Sequence, residues 1–219
     1  MDAEAEAARI ADYVYRQGIT SVGIIGTLDT WEMTISNAFE KKFVSLGGTI
    51  TSKEIVQANE ADMKLPVTKV INEKPQAIFL GTYYQFVKST KIIHDLGYKG
   101  KLYSIEVDDY LTTQTSQWIA DLQFIAPDYY VGDFVDAFKN KFGRAPGMPA
   151  GQTYDATKIL FSLLNKTESK NELLEYMKSF SGHDGVSGHL QIESDGRTSL
   201  PTALFELKRG QVSRVMLLK

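Results

Sequence analysis

The pattern that most constrains this chain is a short apolar run followed by a longer segment of helical spacing, recurring about every thirty residues, the size of a βαβ unit. Ile19, Thr20, Ser21, Val22, Gly23, Ile24, Ile25 and Gly26 form a nearly unbroken apolar run. A run without alternation predicts a strand buried on both faces. Residues 3–15 before it read as a helix ended by Gly18. After it, Thr30 or Asp29 can cap a helix whose Trp31, Ile35, Phe39, Phe43 and Leu46 repeat near helical spacing, with Gly47 and Gly48 as the stop. The pattern returns with a strand at 49–56, a helix at 62–72 carrying Leu65, Val67, Val70 and Ile71, and a strand at 77–80. A helix at 84–96, stopped by Gly97, and a short strand at 101–105 complete the series before an acidic loop at 106–109. Strands and helices in alternation predict an α/β fold, a parallel sheet with helices on both faces.

The second half has a different character. A short helix begins at Phe134, a Gly- and Pro-rich stretch at 143–149 breaks it, and residues 154–164 and 172–180 give two more helices with no strong strand between them. Ile159, Leu160, Leu163, Leu173, Leu174 and Met177 are too many apolar side chains to leave in water, so these helices must pack on one another or on a partner. The end of the chain is β. Residues 189–193 alternate, 194–197 form a turn, and strands at 203–207 and 212–217 flank the turn Arg209-Gly210, giving an antiparallel meander.

Composition excludes several classes of function. The 219 residues are 43% hydrophobic and 23% charged, as in an ordinary globular protein. A net charge of -3, from 27 acidic and 24 basic residues spread along the chain, leaves no basic stripe for nucleic acid. The absence of cysteine excludes disulfides, thiol nucleophiles and thiolate metal sites. His94, His183 and His189 are scattered without ligand spacing, so no metal and no cofactor is expected. Neither a G-x-S-x-G elbow, a phosphate loop nor a G-x-G-x-x-G turn is present, and no catalytic residue is assigned. The first residues have neither the basic start nor the apolar core of a secretory signal, and no segment approaches a membrane span.

In an open parallel sheet, ligands bind beyond the carboxyl ends of the strands. Three loops there stand out: Thr27 to Trp31, which contains Asp29; Thr82-Tyr83-Tyr84; and Glu106 to Asp109. Together they offer aromatic faces, hydroxyls and carboxylates. That set suits a small ligand with an ammonium group, paired by Glu106 while Tyr83 or Trp31 supplies a cation–π face or an apolar wall. Trp31 also begins an apolar helix face and Tyr84 can be a helix N-terminal residue, so packing is an equal reading for each. Glu106 directly follows a buried strand and needs a partner or solvent there, whereas Asp108 and Asp109 read as solvated loop acids. Asp29 after a buried strand also permits a flavodoxin-like phosphoacceptor, although the acidic cluster and downstream lysine expected beside one are not evident.

The order of these segments resembles the branched-chain amino-acid receptors of ATP-driven importers, which have the type I periplasmic-binding-protein fold. The resemblance covers nearly the whole chain. It rests on the strand at 19–25 followed by Trp31 and its helix, on Lys74-Pro75-Gln76-Ala77-Ile78-Phe79-Leu80-Gly81, and on Phe138-Lys139-Asn140-Lys141-Phe142-Gly143-Arg144-Ala145-Pro146. It continues through Tyr154-Asp155-Ala156 and from Gly185-Val186-Ser187-Gly188 to Asp195-Gly196. Trp31, where the family often has tyrosine, Tyr83 beside Thr82, and Glu106 take the positions of the family's second-lobe ligand contacts, Glu106 resembling its ammonium-binding carboxylate.

The family's chain opens with a first lobe that nothing here resembles. The resemblance therefore implies a second-lobe α/β domain at 1–127, helices at 128–186 that belong to the otherwise missing lobe, and C-terminal antiparallel strands at 187–219. It implies a solute-binding protein or a portion of one, not an enzyme, periplasmic or extracellular, that takes an amino-acid-like ligand and hands it to a membrane permease. The orphan helices are then expected to meet a second copy or a first-lobe chain. A ligand-free interaction module of the same fold and a flavodoxin-like signalling domain are the alternatives.

Overall fold

A computed structural model describes residues 2–128, 132–147, 149–167, 169–180, 182–193 and 196–218. Met148, in the Pro- and Gly-rich break, and Ser194 and Asp195, in the turn expected at 194–197, lie outside the described residues. The first half alternates without interruption: α1 (Ala3–Arg16), β1 (Ser21–Thr27), α2 (Thr30–Ser45), β2 (Thr49–Val56), α3 (Lys64–Asn72), β3 (Ala77–Gly81), α4 (Phe86–Asp95), β4 (Lys101–Ile105), α5 (Asp109–Thr115) and β5 (Leu122–Pro127). Three helices follow, α6 (Phe134–Phe142), α7 (Ala150–Leu164) and α8 (Lys170–Lys178). The chain then forms β6 (His183–Gly185), β7 (Gly188–Ile192), β8 (Thr198–Ser199), β9 (Thr202–Lys208) and β10 (Gln211–Leu218).

Two compact units result. One comprises Ala3–Ala126 with Ala203–Leu218, and the other consists mainly of Pro127–Thr202. In the first, a seven-stranded sheet runs in the order β10-β9-β5-β4-β3-β1-β2. The pairs β1–β2, β1–β3, β3–β4 and β4–β5 are all parallel. Because β2 lies on one side of β1 and β3 to β5 on the other, right-handed crossovers place α2 on one face and α3, α4 and α5 on the opposite face. Contacts follow that division, with α1 packed on α2, and α3 and α5 each packed on α4.

The apolar run of the sequence becomes the centre of this unit. Val22, Ile24 and Ile25 of β1 and Ile78, Phe79 and Leu80 of β3 have no exposed surface. Phe39 of α2 stacks on Phe79 at 4.0 Å between ring centroids. The glycines of β1 admit helices on alternate faces. A Cβ at Gly23 would lie 2.4 Å from Val70 Cγ1 of α3, and one at Gly26 would lie 2.7 Å from Ser36 Oγ of α2.

The terminal strands expected as one meander divide between the units. β9 pairs onto β5 and carries β10 to the sheet edge, because Ala203, Leu204 and Leu207 are apolar enough to be buried there. β6, β7 and β8 instead form a separate antiparallel sheet in the helical unit. Asp155 of α7 organises the turn between β6 and β7. Its carboxylate accepts the N–H of Val186 (3.0 Å), the N–H of Ser187 (2.8 Å) and the Ser187 hydroxyl (2.7 Å). Gly185 is required beside it, since a Cβ there would lie 2.3 Å from the carboxylate.

Much of the helical unit is left uncovered. No described residue of α6 or α8 is buried. Phe142, Phe161, Leu164, Leu174 and Met177 are each exposed. Phe134, Phe138 and Phe142 of α6 line a groove of about 960 Å³ together with Pro149, Tyr154 and Val186.

Replacing Asp155 with alanine strands three donors around the β6–β7 turn. We expect a loss of about 3 kcal/mol of stability in this unit, read by chemical denaturation, with faster amide exchange at Val186 and Ser187. A loss below about 0.5 kcal/mol, the usual scale of a surface change, would contradict this role for Asp155.

Candidate functional site

The strand order reverses between β1 and β3, and the loops that leave their carboxyl ends diverge there. Thr27 ends β1 and Thr82 follows β3; both are buried, and their hydroxyls lie 2.6 Å apart across the reversal. Thr82 Oγ1 also accepts the N–H of Gln85. The Gln85 amide donates in turn to the carbonyls of Ala58 (2.8 Å) and Glu60 (3.2 Å) beyond β2. Three successive strand-end loops are thus tied together by polar side chains.

Asp29 is the N-cap of α2, its Oδ1 accepting the N–H of Trp31 (2.9 Å) and of Glu32 (3.4 Å). Its carboxylate is thereby engaged by its own helix. Trp31 is half-buried, packs against the core cluster and turns one side to the cleft described below.

Glu32, which sequence reasoning did not single out, organises the next loop. It is 1% exposed, and its Oε1 accepts the N–H of Tyr83 (2.8 Å) and of Tyr84 (3.1 Å). Three residues after an N-cap, a glutamate ordinarily reaches back to the cap's own N–H in a capping box. Here the Asp29 N–H donates to the Thr27 carbonyl instead, leaving Glu32 free to span to the β3 loop.

The Tyr83 hydroxyl donates to Asp108 Oδ2 at 2.9 Å. Burial, helped by that hydrogen bond, pushes its pKa up to about 12, so the phenol remains a donor throughout the neutral range. Asp108 does not stand as a solvated loop acid. Its Oδ1 caps α5 by accepting the Leu111 N–H at 2.8 Å, and its Oδ2 fixes the Tyr83 ring. Tyr84 is exposed and meets Tyr83 edge-on, with ring centroids 6.4 Å apart.

Glu106 follows β4 with φ of 49°, a left-handed conformation uncommon for a residue with a side chain. Its N–H donates to the Ile125 carbonyl at 2.7 Å, which holds the loop against the end of β5. The residue is 6% exposed and its carboxyl meets that of Glu6 on α1, itself 3% exposed. As two carboxylates they would supply no donor, and Glu6 Oε2 and Glu106 Oε1 have no other partner. Burial raises the pKa of both above the usual carboxylate range; for Glu6 the nearby Glu106 adds to the rise. A proton held between the two carboxyls would give each of these oxygens a partner.

These residues surround a narrow cleft. Trp31, Ile35, Thr82, Tyr83, Ser104, Glu106 and Leu111 line about 190 Å³ of empty volume, none of it wide enough for a water molecule. Of the five site residues chosen from sequence, Trp31, Thr82, Tyr83 and Glu106 reach this cleft, whereas Asp29 lies at the helix cap. Glu6 had a readable signal: it falls on the stripe of Ala3, Ala7, Ile10 and Val14 that α1 buries. The span from Glu32 to the β3 loop had none. Among the described residues, no group of three or more His, Cys, Asp or Glu is placed to hold a metal ion. No described helix is long and apolar enough to cross a membrane.

Comparison with known proteins gives the same architecture. A family described as "Periplasmic binding protein" matches residues 1–211. Among solved structures, the chain is similar to the leucine-binding protein LivK of Thermotoga maritima. The TM-score is 0.90 at 20% identity, over 99% of this chain and 65% of that one. It is similar also to LivJ of Streptococcus pneumoniae, a branched-chain amino acid transporter substrate-binding protein in complex with isoleucine. There the TM-score is 0.89 at 18% identity, over 100% and 66% of the two chains. A solute-binding protein of an ABC transporter from R. palustris, in complex with benzoate, matches with a TM-score of 0.85 at 14% identity, over 98% and 63%. The chain spans less than two thirds of the length of each of these proteins. A search of curated protein sequences gives no match.

Replacing Glu32 with alanine leaves two loop N–H groups without an acceptor. We expect a loss of about 2 kcal/mol in the sheet unit and faster amide exchange at Tyr83 and Tyr84 than at Phe79. Unchanged exchange at both tyrosines would remove Glu32 from the account of the site.

Proposed function

We propose a solute-binding role, because the chain belongs to the periplasmic binding protein family: its sheet unit supplies one wall of a cleft that holds a small amino-acid-like ligand. The observation that carries this reading is the convergence of Trp31, Thr82, Tyr83 and Glu106 on one cleft at the carboxyl ends of β1, β3 and β4. Aromatic faces, one of them fixed by the Tyr83–Asp108 hydrogen bond, and a buried carboxyl are the groups that recognise a compound with an apolar body and a cationic nitrogen. Leucine and isoleucine have that form. Benzoate has the apolar body without the nitrogen, and its negative charge would meet Glu106 unfavourably. Binding without chemistry, delivery to a membrane permease and a periplasmic or extracellular place all accompany this role in the family, and we extend them to this chain as part of the same reading.

The space between these side chains does not admit a water molecule, so in this reading the ligand rests against their outer face and the opposite wall comes from elsewhere. The similar receptors are each longer than this chain by more than a third of its own length, and a further lobe in such a protein would supply that wall. It would also cover the apolar faces of α6, α7 and α8. We therefore place 1–127 in the ligand-binding lobe and 128–186 with the helices that a first lobe would pack against, and we place the strands of 187–219 with the C-terminal part of the receptor. A second copy of the chain is the other occupant those faces can take. A ligand-free interaction module is the second reading, favoured by the narrowness of the cleft.

Calorimetry with L-leucine, L-isoleucine and benzoate tests the role. With one wall present, the amino acids should bind weakly, near the millimolar range, and Glu106→Gln should weaken them by about tenfold or more. Benzoate should not compete. Tight amino-acid binding indifferent to Glu106→Gln would contradict the site, and no binding of either amino acid would favour the interaction module.

A further inference from the structure

Glu6 is the buried group that the reading above leaves without a task. It lies on α1 and does not line the cleft itself, yet its carboxyl meets that of Glu106, which does. Both residues are more than nine-tenths buried, and each has one carboxyl oxygen with no partner unless a proton lies between them. Glu106 is pinned on its other side: its backbone takes the left-handed conformation and its N–H is held by the Ile125 carbonyl. Such a conformation persists where its surroundings over-determine it, and those places are concentrated at working sites.

Resting on the solute-binding reading, we propose that Glu6 is a positioning residue for Glu106: as a neutral acid it donates its proton in a hydrogen bond to Glu106, which meets a cationic ligand ionised and aimed at the cleft. The division of roles follows from position. Glu106 lines the cleft and Glu6 does not, so the negative charge is useful on Glu106 and the proton is useful behind it. Burial favours Glu6 as the proton's holder, and the hydrogen bond from Glu6 works against the rise that burial imposes on Glu106. Of the other charged groups, the chain's amino terminus acts by charge on both carboxyls and Arg9 on Glu6, each favouring ionisation, whereas Asp108 is taken by Tyr83 and Leu111 and Glu32 Oε1 by the Tyr83 and Tyr84 N–H groups.

Two variants of the full chain separate this role from simple packing. Glu6→Gln keeps a neutral donor, whereas Glu6→Met keeps the length and removes it. Calorimetry with L-leucine between about pH 6 and pH 9 should show Glu6→Gln within about threefold of the parent. Glu6→Met should lose about tenfold at pH 7 and recover as the pH rises, because Glu106 without its donor must be deprotonated by the solvent. Equal effects of the two variants at every pH would overturn the positioning role while leaving the receptor reading intact. Carbon-13 NMR of the glutamate carboxyls supplies a readout independent of ligand and of the Met variant's folding. The parent should show Glu6 retaining its proton well above the usual carboxylate range and Glu106 ionising before it, and ordinary titration of both would overturn the proposal. If the parent binds no leucine but shows that order, the receptor reading fails and the hydrogen-bonded pair stands.

Discussion

Neither Gly26 nor Gly81 has room for a side chain. A Cβ at the first would lie 2.7 Å from Ser36 Oγ, and one at the second 2.3 Å from the same atom. The Ser36 hydroxyl, 3.4 Å from the Gly81 carbonyl, therefore rests on the ends of β1 and β3, which are paired at these two glycines. That close approach sets the height of α2 above the sheet. With it come the positions of Trp31 over the cleft and of Glu32 under the Tyr83 loop, one turn before Ser36. A larger residue at either glycine would lift the helix and separate the two loops that Thr27 and Thr82 join.

The second organising feature is the treatment of buried acids. Glu6, Glu32 and Glu106 are each at most 6% exposed, and an isolated ionised carboxylate in such surroundings is strongly unfavourable. The fold provides two solutions. Glu32 is offset at Oε1 by two backbone N–H donors, with Oε2 left unpartnered, so its burial organises a loop. In the pairing proposed for them, Glu6 and Glu106 share one proton, which leaves a single negative charge at the end of β4. Tyr83 and Asp108 form a third polar link, but one that fixes an aromatic ring.

The strands and helices of the first half were legible because a parallel sheet buried on both faces needs continuous apolar runs, as 19–26 and 77–80 provide. That Trp31, Thr82, Tyr83 and Glu106 lie side by side was legible in outline, since strand ends at a reversal of strand order bring their loops together. Asp108 was misread, because a loop acid and a helix cap look alike until the short helix α5 is seen. Glu32 lay beyond sequence reasoning, since its partners are 51 and 52 residues away and its spacing after Asp29 points to a local capping box. The destination of 203–217 was equally hidden: alternation identifies a strand but not the sheet it joins, and only the free edge of β5 decides that.

The two units differ in how far they satisfy themselves. The sheet unit has a continuous core from α1 to β9, whereas in the helical unit α6 and α8 have no buried residue among those described. The proposed ligand recognition lies in the first, and the exposed apolar faces lie in the second. The most direct test is the ¹H–¹⁵N spectrum of the protein during titration with L-leucine. The shifts should be confined to the strand-end loops, at Trp31, Thr82, Tyr83 and Val107. Shifts confined to the groove of α6 and α7, at Phe138 and Tyr154, would contradict it.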